Sequence, residues 1–373
     1  MIVAIMHMVI AGNHPELTKA ELLSLDPRAK MHAEENGVFF VEFHAPPAEI
    51  FQKTGGVIKA AEWFLDVPTF DEETLAAILT ETLPNRKGRV SFGISAYGHT
   101  GGDVKKLGMQ VKRLAQERGM SCRFVVDRSP ALGAATILKN HLLEEGAEFV
   151  LVQKAAGMAI GQTVFIQPID AWSVRDYGRP SRDAHAGMLP PKLARIMVNL
   201  AGNKMERTLW DPFCGSGTVL TEAVVLGYTH VYGSDIKEDA LAATEKNLSW
   251  IEQQASVSFE ALTFKHDARD PLPADIPQMF DAIVAEGTLG PPERKTAESF
   301  SKIIQELEEF YRVVIPTLVG SLERNGVLVL AVPFFRSQGE EHFLSLGTLS
   351  KERWTYARPD QHVGREIWRI KTE

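Results

Sequence analysis

From residue 196 to the end, short apolar runs alternate with segments whose apolar residues recur at helical spacing. That alternation confines this part of the chain to a sheet of parallel-type strands joined by helical crossovers. The order is helix LARIMVNLAG, strand TLWD, helix TVLTEAVVLG, strand HVYGSD, helix EDALAATEKNLSWI, then strands ALTFKHD and FDAIVAE. A long helix is expected from about Ser299 to Arg324, with a kink at Pro316, before strand GVLVLAVPFF and a last strand in REIWRIK. Five parallel-type strands ending in a hairpin-like pair predict a doubly wound, mostly parallel α/β sheet with an antiparallel last strand.

The first turn of this region reads DPFCGSG, residues 211 to 217, between a strand and a helix. Gly215 and Gly217 let a ligand approach the backbone closely, and the helix N-terminus that follows favours negative charge. The turn departs from a dinucleotide-binding G-x-G-x-x-G because it opens with Asp211, which would repel a pyrophosphate. An acid at that strand end suits a ligand with an ammonium and a sulfonium, and so points to S-adenosyl-L-methionine. Asp235, with Ile236 after it, stands at the next strand end, where a carboxylate typically grips ribose hydroxyls. Asp267, followed by Ala268, closes the third strand and is placed to accept from an adenine amine. Phe213 completes the cofactor-binding set. Each aspartate alone could be a helix cap, but three strand-end acids in register favour the cofactor.

Residues 1 to 65 read as strand, helix, the alternating strand GVFFVEFH and a helix from Ala48, a small α+β unit with an antiparallel sheet. The apolar opening MIVAIMHMVIAG lacks a charged lead and reads as a strand rather than a signal peptide. Residues 66 to 172 alternate helices with strands, among them the basic helix DVKKLGMQVKRLAQERG with Val104, Leu107, Val111 and Leu114 at helical spacing. They predict a second α/β unit. Residues 173 to 195, rich in Pro, Gly and Arg, read as a linker, and residues 196 to 373 as the last domain.

A net charge of −8 argues against a protein that coats nucleic acid indiscriminately, but the charge is unevenly spread. Between Thr100 and Arg128 seven basic residues, including Lys105, Lys106, Lys112 and Arg113, face three acidic ones. From Ala171 to Trp210 the count is again seven, including Arg175, Arg179 and Arg182, against three. These islands are either solvated helix faces or a local phosphate track. No run is apolar and long enough to span a bilayer, so no membrane association is expected. Cys122 and Cys214 are too few for a disulfide framework or zinc cluster, and they fit a reducing, cytoplasmic compartment. His7, His14, His32 and His44 lack metal-ligand spacing, and no metal is expected.

The stretch RDYGRPSRDAHAGMLPPKLARIMVNLAG, residues 175 to 202, with DPFCGSGT after it and GNHPELTKAEL near the start, resembles the THUMP-domain tRNA guanine-N2 methyltransferases. The likeness is weaker over residues 65 to 165. It implies a ferredoxin-like segment over 1–65, a THUMP-like RNA-binding domain over 66–172 and a Rossmann-like class I methyltransferase domain at the C-terminus. It further implies S-adenosyl-L-methionine as cofactor, tRNA as partner and both basic islands as phosphate contacts. A monomer is expected.

One segment departs from that family. Amino-group methyltransferases usually carry Asp/Asn-Pro-Pro-aromatic after the fourth strand, where carbonyl oxygens accept from the exocyclic amine and the ring stacks on a flipped base. Here Glu286 stands at the acid's place, Gly287 and Thr288 replace both prolines, and Leu289 replaces the aromatic. Pro291-Pro292 comes later. Glu286, Gly287 and Leu289 are the catalytic candidates, under three open readings. The loop is a working variant in which Glu286 orients the amine and an aromatic from elsewhere, such as Phe334 or Phe335, supplies stacking, or it serves a different acceptor, or the protein binds tRNA and cofactor with little catalysis. Ile303, Ile304, Leu307 and Phe310 recur at core-facing positions of the helix that follows. Arg365 in VGREIW either reaches the active site from the last hairpin or is an ordinary surface residue, and the surface role is the one expected.

Overall fold

The computed structural model describes residues 5–98, 102–182, 188–202, 207–290, 297–337, 340–347, 351–359 and 361–372. Two compact units emerge: Met1–Thr18, Asp26–Gln52 and Gly56–Ile169 form the first, and Lys19–Leu25, Lys53–Gly55 and Asp170–Glu373 the second.

The first unit runs β1 (Met6–Ala11), α1 (Pro15–Leu25, whose latter part belongs to the second unit), β2 (Lys30–Glu35), β3 (Val38–Glu42), α2 (Pro47–Lys53) and β4 (Val57–Val67). It continues with α3 (Glu72–Thr82), β5 (Val90–Tyr97), α4 (Val104–Glu117), β6 (Cys122–Val125), α5 (Ala134–Lys139), β7 (Ala147–Gln153) and β8 (Met158–Ile166). Its eight strands form one sheet, ordered β2-β3-β1-β4-β8-β7-β5-β6, antiparallel except that β5 lies parallel to β6 and β7. The expected boundary at residue 65 falls inside β4, which pairs with β1 on one side and β8 on the other, so residues 1–65 and 66–172 share a sheet. Asp71 and Asp103 start α3 and α4 by accepting from the first free backbone N–H groups, Thr74 N at 3.0 Å and Lys105 N at 2.8 Å. The apolar face of α4 buries Leu107, Val111 and Ala115 and leaves Lys105, Lys106 and Arg113 in solvent.

The second unit contains α6 (Ile169–Tyr177), α7 (Pro191–Ala201), β9 (Thr208–Asp211), α8 (Thr218–Val225), β10 (His230–Asp235), α9 (Glu238–Ala255), β11 (Glu260–Lys265) and β12 (Phe280–Glu286). After α10 (Ala297–Gly320) come β13 (Leu322–Ser337), β14 (Glu340–Phe343), β15 (Glu352–Tyr356) and β16 (Val363–Lys371). The sheet order is β11-β10-β9-β12-β13-β16-β15. Its first five strands are parallel, and β16 runs antiparallel to β13 and β15. This is the doubly wound sheet that the alternation predicts. Ala282, Ile283, Val284 and Ala285 of β12 are fully buried, as in a central strand covered on both faces. On one face Leu307, Tyr311, Val314 and Leu318 of α10 pack over Ile283, Leu328 and Leu330, each buried aliphatic contributing roughly 1.5–3 kcal/mol. No helix among the described residues is long and apolar enough to cross a membrane.

The expected linker is partly helical: α6 reaches Tyr177 and α7 begins at Pro191. Chain order reverses between β9 and β12, and ligands of doubly wound sheets bind at the carboxyl ends of the strands flanking such a switch.

Candidate active site

Asp211, Asp235 and Glu286 are the last residues of β9, β10 and β12. Because β9 lies between the other two strands, the three carboxylates share one sheet edge, with the outer pair roughly 10 Å apart by strand spacing. They line a cavity of about 1100 Å³ together with Phe213, Gly215, Ile236, Asp267, Ala268, Arg269, Gly287, Thr288 and Phe310. Single small-molecule sites typically occupy about 300–1,000 Å³, so this space admits a cofactor and part of a second ligand.

The turn after β9 is built for close approach. Gly215 and Gly217 have φ of +53° and +77°, the left-handed region that glycine enters without penalty. A Cβ at Gly217 would lie 3.0 Å from Thr244, whose hydroxyl donates to Gly215 O at 2.9 Å. Asn247 donates to Ser216 O at 2.8 Å, so α9 holds the turn from behind. Gly217 supports the cavity without lining it.

Asp235 accepts from Gly215 N and Lys237 N, each at 3.0 Å, and keeps lone pairs for a further donor. Ile236 beside it is 56% exposed and faces the same cavity, an apolar surface that a planar ring would cover. Asp211 is buried and accepts only weakly compensating hydrogen bonding from Phe213 N at 3.1 Å. Burial first, and then the negative charges of Asp235 and Glu286, push its pKa well above the usual carboxylate range. A cation over this edge would relieve that repulsion. Asp267 is bound by Arg269, with Nη2 to Oδ2 at 2.6 Å and Nε to Oδ1 at 3.0 Å. Those bonds lower its pKa to about 2, so any adenine amine would meet a carboxylate that Arg269 already grips.

The loop after β12 shows what the sequence alone concealed. Arg365 of β16 is 4% exposed and donates from Nε to Oε1 of Glu286, contrary to the surface role expected of it. Burial raises the Glu286 pKa and Arg365 opposes the rise. Gly287 donates its N–H to Ala331 O at 3.0 Å and packs against Tyr311, whose hydroxyl donates to Thr288 O at 2.8 Å. Leu289 is half-buried and does not line the cavity. Pro291-Pro292 lies outside the described residues.

Neither expected stacking ring reaches the site. Phe334 is fully buried and stacks on Phe343, and Phe335 is 5% exposed within the core, because that part of β13 is covered on both faces. Phe310, read as a core position, instead lines the cavity.

Arg175 and Arg179, expected to contact phosphate, are turned inward. Arg175 Nε donates to Glu222 Oε1 at 2.8 Å, with Arg195 Nε on Oε2 at 2.8 Å, and both guanidinium groups lie over the Trp172 ring. Arg179 is 5% exposed and donates to Thr218 Oγ1 at 2.6 Å. A buried Glu222 needs such cations, and the apolar ring shields them from water. Arg182 is exposed, lies over Tyr177 and lines the cavity. On α4, Lys105, Lys106 and Arg113 are exposed and Lys112 half-buried, with Lys106 paired to Glu72 and Arg113 to Glu117.

Residues 179–333 match the UPF0020 family model, described as an RMKL-like methyltransferase domain. A tRNA (guanine(10)-N2)-dimethyltransferase of Methanothermobacter thermautotrophicus is 32% identical over 187 residues, 50% of this chain and 48% of that protein. One from Methanocaldococcus jannaschii is 38% identical over 91 residues, 23% of this chain and 26% of that protein. The matched stretches thus span about half or less of these relatives. The crystal structure of TrmN from Thermus thermophilus superposes with a TM-score of 0.57 at 17% identity, covering 99% of this chain and 100% of that one, a likeness of fold.

Proposed function

We propose that this chain, with its RMKL-like methyltransferase domain, transfers a methyl group from S-adenosyl-L-methionine to the exocyclic N2 of a guanosine in tRNA. The observation that carries the reading is the single cavity in which a glycine turn with Asp235 faces, across Asp211, the carboxylate of Glu286. The relatives named as tRNA (guanine(10)-N2)-dimethyltransferases support the acceptor. Gly215 and Ser216 would hold the methionine part, Asp235 the ribose hydroxyls, and Ile236 and Ala268 the adenine.

When bound, S-adenosyl-L-methionine supplies an electrophilic methyl group on a positive sulfonium. Asp211 contributes negative potential beneath that charge, and the burial of its carboxylate strengthens it. Glu286 accepts a hydrogen bond from the guanine amine, which makes the nitrogen lone pair more available. As the N–C bond forms and the C–S bond breaks, the amine sheds a proton, and a carboxylate with a raised pKa is a competent acceptor for it. Arg365 holds Glu286 in place and leaves Oε2 for the amine.

For RNA, Lys105, Lys106, Lys112 and Arg113 of a THUMP-like region are the phosphate contacts, with Arg182 beside the cavity. The pairing of Glu286 with Arg365 favours a second reading, in which the carboxylate is withheld and the protein binds tRNA and cofactor with little turnover. Incubating unmodified tRNA transcripts with methyl-labelled S-adenosyl-L-methionine separates the two. Label in the RNA with wild-type protein and none with Glu286→Gln supports catalysis, whereas bound but unlabelled tRNA supports the second reading.

A further inference from the structure

The loop after β12 brings no ring to the cavity, because Leu289 stands at the aromatic position and does not line it. A ring arrives from α10 instead. Phe310 is half-buried and faces the cavity beside Glu286, Gly287 and Thr288. Its neighbour Tyr311 is fully buried and donates to Thr288 O, which fixes this turn of α10 against the loop. On its other side Phe310 meets Phe213, from the turn after β9, with ring centres 6.0 Å apart and planes at 56°. Tyr311 meets it nearly perpendicular, at 80°. Among the described residues both contacts are tilted or edge-on, so no ring lies flat on the Phe310 face. A half-exposed aromatic face between the end of β9 and the end of β12 borders the space where an acceptor must meet a methyl donor.

We propose that Phe310 is the platform on which the acceptor base stacks, replacing from α10 the ring missing after β12. This rests on the reading of the site as a base methyltransferase. An extruded base loses its stacking neighbours, and an aromatic side chain that restores them holds it in the reactive orientation. Stacking tolerates any flat ring but requires one, so Phe310→Tyr keeps the function and Phe310→Leu, apolar and of similar bulk, does not. Loss of a base–aromatic stack lowers kcat/KM by about fivefold to about 150-fold. Affinity for S-adenosyl-L-methionine falls far less than kcat/KM, since Phe310 meets the cofactor-binding set through Phe213 alone among the described residues.

The test combines turnover with a direct view of the ring. Wild type, Phe310→Leu and Phe310→Tyr are compared for kcat and KM on unmodified tRNA transcripts, and for cofactor affinity by calorimetry. The protein is also labelled with 4-fluorophenylalanine, the Phe310 resonance being the one absent from Phe310→Leu. In the S-adenosyl-L-homocysteine complex that resonance shifts on adding the transcript and not on adding duplex DNA of equal charge. Wild-type methylation with an equally active Phe310→Leu overturns the stacking role and leaves the methyltransferase reading standing. If wild type methylates no tRNA, that reading fails, and the fluorine signal still decides the stacking: a tRNA-specific shift supports it and an unmoved resonance overturns it.

Discussion

Arg365 on the last strand of the chain and Glu286 at the end of β12 form an ion pair with side chains only 5% and 17% exposed. Antiparallel pairing of β16 with β13, itself parallel to β12, is what carries residue 365 to the edge where residue 286 stands.

Replacing Arg365 by Gln should leave a buried carboxylate without its cation, at a cost of roughly 3 kcal/mol. The sign with pH follows from the Glu286 pKa, raised in the folded protein. The folded state then holds its proton more tightly than the unfolded one, so ionising Glu286 costs stability as pH rises from the usual carboxylate range through the raised value. Without Arg365 that cost grows. Urea denaturation should show a large deficit for Arg365→Gln at about pH 8 and a smaller one at about pH 5. The acid limb of kcat against pH should move upward in the variant, because Glu286 must be ionised to serve the amine. A deficit independent of pH would argue against the pair.

Asp235 both braces Gly215 and offers its remaining lone pairs to the cofactor. Asp235→Ala should weaken S-adenosyl-L-methionine binding by about tenfold to about 150-fold, the range for charge-assisted hydrogen bonds. Titration calorimetry on a variant with an unchanged far-ultraviolet spectrum measures it. Equal heats from the two proteins would remove Asp235 from the cofactor site.

The two basic islands should separate cleanly. Lys105→Glu with Arg113→Glu should weaken tRNA binding and lower its salt slope by about 1 per lost phosphate contact. Arg175→Ala, which strips a partner from buried Glu222, should lower thermal stability instead and leave the salt slope as it was. Filter binding across salt concentrations and a melting curve suffice; a flattened slope for Arg175→Ala would return that residue to the RNA surface.

Gly287 has no room for a side chain, since a Cβ would strike the Tyr311 hydroxyl. Gly287→Ala should destabilise by about 1–3 kcal/mol through overpacking. Adding Tyr311→Phe removes the struck oxygen and should recover part of the loss. Additive effects of the two changes in urea denaturation would show that the contact is not what requires glycine.

The second unit was legible because helix and strand periods alternate from β9 to β11 and again from β12 through α10 to β13, and because β9, β10 and β12 each end in an acid. The first unit was less so. β2 presents KMHAEE to solvent with no apolar alternation, and β4 contains Ala60, Ala61 and Glu62, residues of low strand preference that pairing with β1 and β8 overrides. Asp211, Asp235 and Glu286 were visible as strand-end acids. Arg365 was open to either the site or the surface and Phe310 read as core, because one depends on which strand β16 joins and the other on how α10 rotates over the sheet. Arg175 and Arg179 misled for the same reason: charge is read from sequence, but burial against Glu222 and Thr218 is set by packing.

The central claim is tested most directly by the nucleosides of a tRNA transcript incubated with the protein and S-adenosyl-L-methionine, then digested and analysed by mass spectrometry. N2-methylguanosine or N2,N2-dimethylguanosine, absent with Glu286→Gln, is the predicted result. A methyl group found only on another nucleoside, or on none while tRNA and cofactor both bind, would contradict it.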